Sequence, residues 1–187
     1  QEAMDDGGGT RGFVIRASLE EGAADTRTSM SPNEDETSYA VFWNETDCIS
    51  VNGIASESIS IQEDCRSAEF TFLKGFESAL YAAYPASVVS KYESGALTLL
   101  LPNVQTWSES DQFDPAAAVM LAQAADGASL RFRHAMAYLR VTLSEASDPE
   151  PIAAVVLSAN DGSALCGAFQ ATYGSDLWTL TPQESAA

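Results

Sequence analysis

The sequence predicts an all-β protein, an antiparallel β-sandwich with at most short helical turns. Short apolar runs recur along the chain, about ten of them at intervals of roughly 8–12 residues, each closed by turn residues. Within many of the runs apolar and polar side chains alternate, the period of a strand that buries one face. Between the runs no stretch of roughly 10–15 residues carries helical periodicity, so the strand–helix alternation of a parallel α/β sheet is missing.

The elements follow in chain order. Gly12 to Leu19 alternates at period two, with Phe13, Ile15, Ala17 and Leu19 on one face. Glu20 to Ser38 is polar, holds Gly22, Pro32 and the acidic run Asn33-Glu34-Asp35-Glu36, and reads as a loop. Tyr39 to Trp43 is a strand by its aromatic and β-branched content. Asn44 to Asp47 turns the chain, and Cys48 to Asn52 alternates again. Ser58 to Ile61, Glu69 to Leu73 and Leu80 to Tyr84 are the next three strands, and Pro85 closes the last of them. Ala96 to Leu101 is an apolar run stopped by Pro102-Asn103. Asp114-Pro115 has the form of a helix start, Asp at the cap and Pro in the first turn, and is expected to make one helical turn leading into a strand near Met120. Ser129 to His134, Ala137 to Ser144, Ile152 to Ser158 and Ala164 to Phe169 complete the expected strands, with a further one beginning at Trp178. Residues 1–11, with Gly7-Gly8-Gly9, form a flexible linker, residues 12–182 one sandwich domain, and residues 183–187 a tail or truncation point.

Charge excludes one class of partner. Twenty-seven Asp and Glu against nine Lys and Arg leave a net charge of -18, which repels nucleic acid and anionic headgroups alike. Such a surface suits a secreted protein that resists non-specific association. No run of roughly 18 apolar residues is present to span a bilayer as a helix. The start, Gln1-Glu2-Ala3-Met4-Asp5-Asp6, lacks the basic and apolar parts of a signal peptide, as expected of an exported chain cut just upstream.

Chemistry is sparse, and no enzyme is expected. The single histidine, His134, is flanked by Phe132-Arg133 and Ala135-Met136 without a local nucleophile motif, and reads as a hydrogen-bonded structural residue. Gly7-Gly8-Gly9 has neither the Lys-Ser/Thr of a phosphate loop nor a strand before it. Three cysteines occur, Cys48, Cys65 and Cys166; Cys48 and Cys65 are either a disulfide or two buried thiols. No cofactor and no metal are expected: there is no C-x-x-C, and Asn33 to Glu36 does not match a calcium-binding hand. Carboxylates are so numerous that a glycosidase-like pair carries little information. Aromatic residues open a glycan-binding alternative, in which Trp107, set among polar neighbours, is the candidate stacking residue.

The order of several short motifs resembles the fimbrillin-like proteins, the type V pilus subunits and related surface lipoproteins of anaerobic gut and oral bacteria. Thr26-Arg27-Thr28, then Val41-Phe42-Trp43 and Asp47-Cys48-Ile49-Ser50-Val51, is similar to that family's T-R-T … V-x-W … G-D-x-I-x-V opening. Tyr81-Ala82-Ala83-Tyr84-Pro85 resembles its Y-A-x-Y-P, and Leu101-Pro102-Asn103-Val104-Gln105 its L-P-x-x-Q. Phe113-Asp114 before Met120-Leu121-Ala122, and Phe132-Arg133-His134-Ala135-Met136-Ala137 with Leu139 and Val141, match two further motifs. The chain departs from the pattern at Glu45-Thr46, where the family has Gly before Asp, and members carry a second sandwich domain.

The resemblance implies the N-terminal domain of such a protein, of transthyretin-like sandwich type. It implies a structural, cell-adhesion role as stalk subunit, tip or anchor at the bacterial outer-membrane surface, held by a lipid anchor upstream of Gln1. Its partners would be other pilus subunits or copies of itself, joined by donor-strand exchange, and host or bacterial surface glycans or proteins. In the family a protease cuts after an Arg beyond the first strand, that strand leaves, and a neighbour's strand fills the groove. Phe13 to Leu19 would be the strand that leaves and Arg27 the processing position.

Overall fold

The computed structural model describes residues 12–19, 31–32, 39–40, 42–106, 114–127, 129–139, 141 and 153–183. It is all-β. The strands are β1 (Phe13–Leu19), β2 (Ser31–Pro32), β3 (Tyr39–Ala40), β4 (Ser50–Val51), β5 (Ile54–Ala55), β6 (Ser58–Ile61) and β7 (Ser67–Phe72). They continue as β8 (Leu80–Tyr84), β9 (Val89–Glu93), β10 (Ala96–Leu101), β11 (Met120–Ala124), β12 (Ser129–His134), β13 (Gly167–Gly174) and β14 (Leu177–Pro182). Among the described residues the helical elements are two 3-10 turns, Ala86–Val88 and Pro115–Ala117. The second begins as expected: Asp114 accepts the Ala116 N–H at 2.9 Å and Pro115 sits in its first turn.

One sheet has eight strands in the order β5-β4-β8-β11-β12-β1-β7-β6, a second has four in the order β14-β13-β10-β9, and β2 pairs β3 separately. Three hairpins turn on two residues with left-handed backbone, Asn52-Gly53 (φ 48 and 77), Ser94-Gly95 (φ 50 and 83) and Ser175-Asp176 (φ 52 and 61). That geometry matches the right-handed twist of the strands it joins. Asn52 also ties its hairpin to β8, since its side chain accepts the Tyr81 N–H at 2.8 Å and donates to Ala79 O at 3.1 Å.

The eight-stranded sheet curls onto itself. Its two end strands, β5 and β6, are joined by only Ser56 and Glu57, whose N–H groups donate to Ile49 O and Thr71 O at 2.9 and 2.8 Å. Trp43 gives the same result from inside. Its ring lies 5.2 Å from Phe70 on β7 and 5.6 Å from Tyr84 on β8. A flat sheet would hold strands four places apart at about 19 Å, whereas two rings that both touch Trp43 lie within about 11 Å. The inner face therefore closes on one core that includes Ile15, Phe70, Phe72, Leu80, Met120 and Phe132.

The four-stranded sheet packs on the outer face at β8 and β11, forming a second core of Ala83, Leu97, Leu99, Val119, Leu121 and Phe169. Strands β8 and β11 are thus covered on both faces, which explains why Leu80 to Tyr84 and Met120 to Ala122 are unbroken apolar runs. In β1, β7 and β12 the outer face carries Arg16, Ser18, Glu69, Thr71, Arg131 and Arg133, hence their alternation. The larger sheet contains one parallel pair, β1 with β12.

Several expected strands differ. Phe42 and Trp43 lie beyond β3, because the indole is drawn into the core and its Nε1 donates to Arg66 O at 3.1 Å. Asn52 is a turn residue, not a strand end. Among the described residues of Ala137 to Ser144 and of Ile152 to Ser158 no strand forms, although both runs alternate or are rich in β-branched side chains. The last strand pair begins later than expected, at Gly167. Strands β2, β5 and β9 were not expected, β2 lying inside the expected loop Glu20 to Ser38; for β9 the turn dipeptide Ser94-Gly95 was the available signal.

Candidate functional site

The first strand occupies a slot between two others. On one side β1 pairs antiparallel with β7, from Phe13 opposite Phe72 to Ser18 opposite Ser67. On the other it pairs parallel with β12, from Arg16 opposite Ser129 to Leu19 opposite Phe132. Ile15, Ala17 and Leu19 point inward and are buried. Register places Ile15 beside Phe70, Ala17 between Ala68 and Leu130, and Leu19 beside Phe132. Phe13 closes the end of the slot against Phe76, with ring centroids 5.7 Å apart.

The outer face of β1 is wet. Arg16 donates to Glu69 at 3.1 Å in an exposed ion pair, worth roughly 0–1 kcal/mol. Hold on the strand comes from the inner face. Full burial of Ile15 and Leu19 is worth roughly 1.5–3 kcal/mol each, and the two ladders add roughly 0.5–1.5 kcal/mol per hydrogen bond. Without β1, strands β7 and β12 would each present an unpaired edge and the inward positions would open as pockets. An extended segment with apolar side chains at alternate positions would satisfy both needs. Arg27, the expected processing position, lies outside the described residues.

A shallow cleft of about 280 Å³ lies where the rim of the four-stranded sheet meets the outer face of the larger one. Leu121, Gln123, Arg131 and Arg133 line it from β11 and β12, Tyr173 and Trp178 from the β13–β14 hairpin. The Trp178 ring is engaged edge-on by Tyr81 at 6.3 Å and by Tyr173 at 5.4 Å. Trp107, the expected stacking residue, is outside the described residues, as is the acidic run 33–36. Trp43 is a core residue.

The remaining polar groups are held in local structure. His134 is half-buried, with Nδ1 3.4 Å from the Tyr138 hydroxyl. The Tyr84 hydroxyl donates to Asp47 at 2.9 Å, and burial, reinforced by the Asp47 charge, pushes its ionisation far above the usual tyrosine range. Asp64 accepts from the Ser67 and Arg66 N–H groups, which hold its carboxyl below the ordinary range. The three cysteines are free. Cys48 is half-buried with Sγ 3.3 Å from Ser56 O, whereas Cys65 is exposed on a left-handed turn, so the pair is neither a disulfide nor two buried thiols. Among the described residues no three His, Cys, Asp or Glu side chains come together as metal ligands.

Comparison with protein-family models, with curated proteins and with solved structures gives no match for this chain. The seven slot residues were legible as a strand, but their central place between β7 and β12 was not: that pairing spans more than a hundred residues of sequence.

Proposed function

We propose that this chain is a structural, cell-adhesion component of a bacterial surface, a fimbrillin-like pilus subunit, tip or anchor that assembles by strand addition. One observation carries the reading. An early strand, β1, fills an internal slot between β7 and β12, and a polar segment with Arg27 follows it in sequence. After a cut beyond Leu19 only non-covalent contacts would keep β1 in place. A neighbour's strand with the same alternation would replace those contacts one for one, so exchange is close to neutral in energy and its direction is set by concentration.

The test is the N-terminal sequence of fibres from the native host. Polymer whose subunits begin at Thr28 supports the proposal, and polymer that retains Phe13 to Leu19 on the same chain overturns it. In a second assay the chain, cut by an arginine-specific protease, should take up a labelled Phe13–Leu19 peptide, and the uncut chain should not. Glycan binding at exposed aromatics is the lesser reading, because the Trp178 ring is already flanked edge-on by two tyrosines and offers no open stacking platform comparable to the slot.

A further inference from the structure

We propose that the cleft between β12 and the β13–β14 hairpin binds a carboxylated sugar, a hexuronic or sialic acid residue of a glycan. This site needs no cut near Arg27, and it stands apart from the exchange of β1.

The step between the two sheets makes the cleft. The four-stranded sheet packs on β8 and β11, and the outer face of β12 stays open beside it. Arg131 and Arg133, two residues apart on one strand, share that face at a spacing of roughly 7 Å. Gln123 lies next to them on β11, and Tyr173, Asp176 and Trp178 line the cleft from the hairpin. Its volume of about 280 Å³ is just below the range of drug-sized pockets, which suits one ring rather than an extended chain.

Charge here runs against the rest of the molecule. The chain carries twenty-seven carboxylates to nine cations, yet two of the nine line this one cleft. Arg131 takes no part in the ion pairs found among the described residues, Arg16–Glu69 and Lys91–Glu93. Its exposed guanidinium offers a planar fork of N–H donors, the shape that a carboxylate accepts at both oxygens.

Asp176 narrows the ligand further. Its carboxylate, which accepts the Tyr173 hydroxyl at 3.5 Å, opposes a second negative charge and so disfavours a phosphate dianion. It accepts hydrogen bonds from hydroxyls, and so does the Gln123 carbonyl. One carboxylate combined with several hydroxyls is the chemistry of an acidic sugar. The C–H face of such a ring meets Leu180 and the rim of Trp178, so no open stacking platform is required.

Ligand-observed NMR on the full, uncut chain near neutral pH tests the proposal, with methyl glucuronide, methyl N-acetylneuraminide, methyl glucoside and leucine as probes. At least one of the two acidic sugars should bind, and their relative affinities tell a hexuronic from a sialic source. Methyl glucoside should bind roughly tenfold more weakly or worse. Arg131→Gln replaces an exposed side chain and should keep the wild-type circular dichroism, yet weaken the acidic sugar roughly tenfold or more. Arg131→Lys keeps the charge but loses the fork, and should fall between the two. If Arg131→Gln loses its β signal, Gln123→Glu sets a like charge in the cleft and should show the same loss. Absence of binding by either acidic sugar at millimolar concentration overturns the proposal. So does glucoside binding as tight as that of the acids, or an Arg131→Gln variant that binds like the wild type. Leucine binding as tight as the acids also overturns it, and assigns the cleft to a zwitterion. Exchange of β1 is read separately, from the N-terminus of fibres, so either reading can fail alone.

Discussion

Replacing Trp43 tests whether the large sheet is closed around a single side chain. The indole is 2% exposed, and its ring meets Phe70, Tyr84 and Phe132 edge-on at 5.2, 5.6 and 5.6 Å. Truncating a buried aromatic to Ala costs about 3–5 kcal/mol, and three ring pairs place this site at the upper end. The lost Nε1 hydrogen bond adds only about 0.5–1 kcal/mol, because Arg66 O still accepts the Leu19 N–H at 3.2 Å and is not orphaned. Trp43→Ala should therefore lose about 5 kcal/mol, which approaches the whole stability of many domains. Trp43→Phe keeps a ring between β7 and β8 and should lose about 1–2 kcal/mol. Urea unfolding followed by far-ultraviolet circular dichroism measures both without relying on tryptophan emission. A loss under about 2 kcal/mol for Trp43→Ala, or equal losses for the two variants, would refute closure of the sheet on this residue.

Three further outcomes are expected. The Tyr84 hydroxyl stays protonated in the folded chain while the unfolded chain releases it near pH 10, so stability is complete below that pH and falls by about 1.4 kcal/mol per unit above it. Alkaline denaturation should show that slope reduced in Tyr84→Phe, and tyrosinate absorbance should stay one residue short until the wild type unfolds. Asn52→Ala removes the hydrogen bonds to Ala79 O and from Tyr81 N–H and sets a left-handed backbone on alanine, and should cost about 2–3 kcal/mol in urea titration. Asp114→Ala frees the N–H groups of Ala116 and Thr106, held at 2.9 and 3.1 Å, and should lower stability by about 1 kcal/mol.

Local signals carried far in this chain. Alternation identified β1 and β12 because each has one dry and one wet face, and periodicity reports that difference directly. The Asp114-Pro115 turn was equally legible, since its cap lies two residues from the group it holds. Runs without alternation were ambiguous. Leu80 to Tyr84 and Ile152 to Ser158 look alike as apolar strands, yet the first is covered on both faces, and Ala153 to Ser158 of the second lies exposed and forms no strand among the described residues. No local feature separates them, because what differs is whether another sheet arrives.

By itself, then, the sequence determined an all-β chain, the span of the first strand, an acidic surface and a scarcity of reactive groups, all properties of neighbouring residues or of composition. Only the tertiary structure decided that β1 sits parallel to β12 in an internal slot, that β5 and β6 meet to curl the sheet, and that Trp43 leaves its expected strand to fill the centre. Those outcomes depend on contacts between distant segments, whose gain in burial and hydrogen bonding overrides local strand preference. The slot is such a contact, and so a feature of pairing that alternation in β1 alone does not contain.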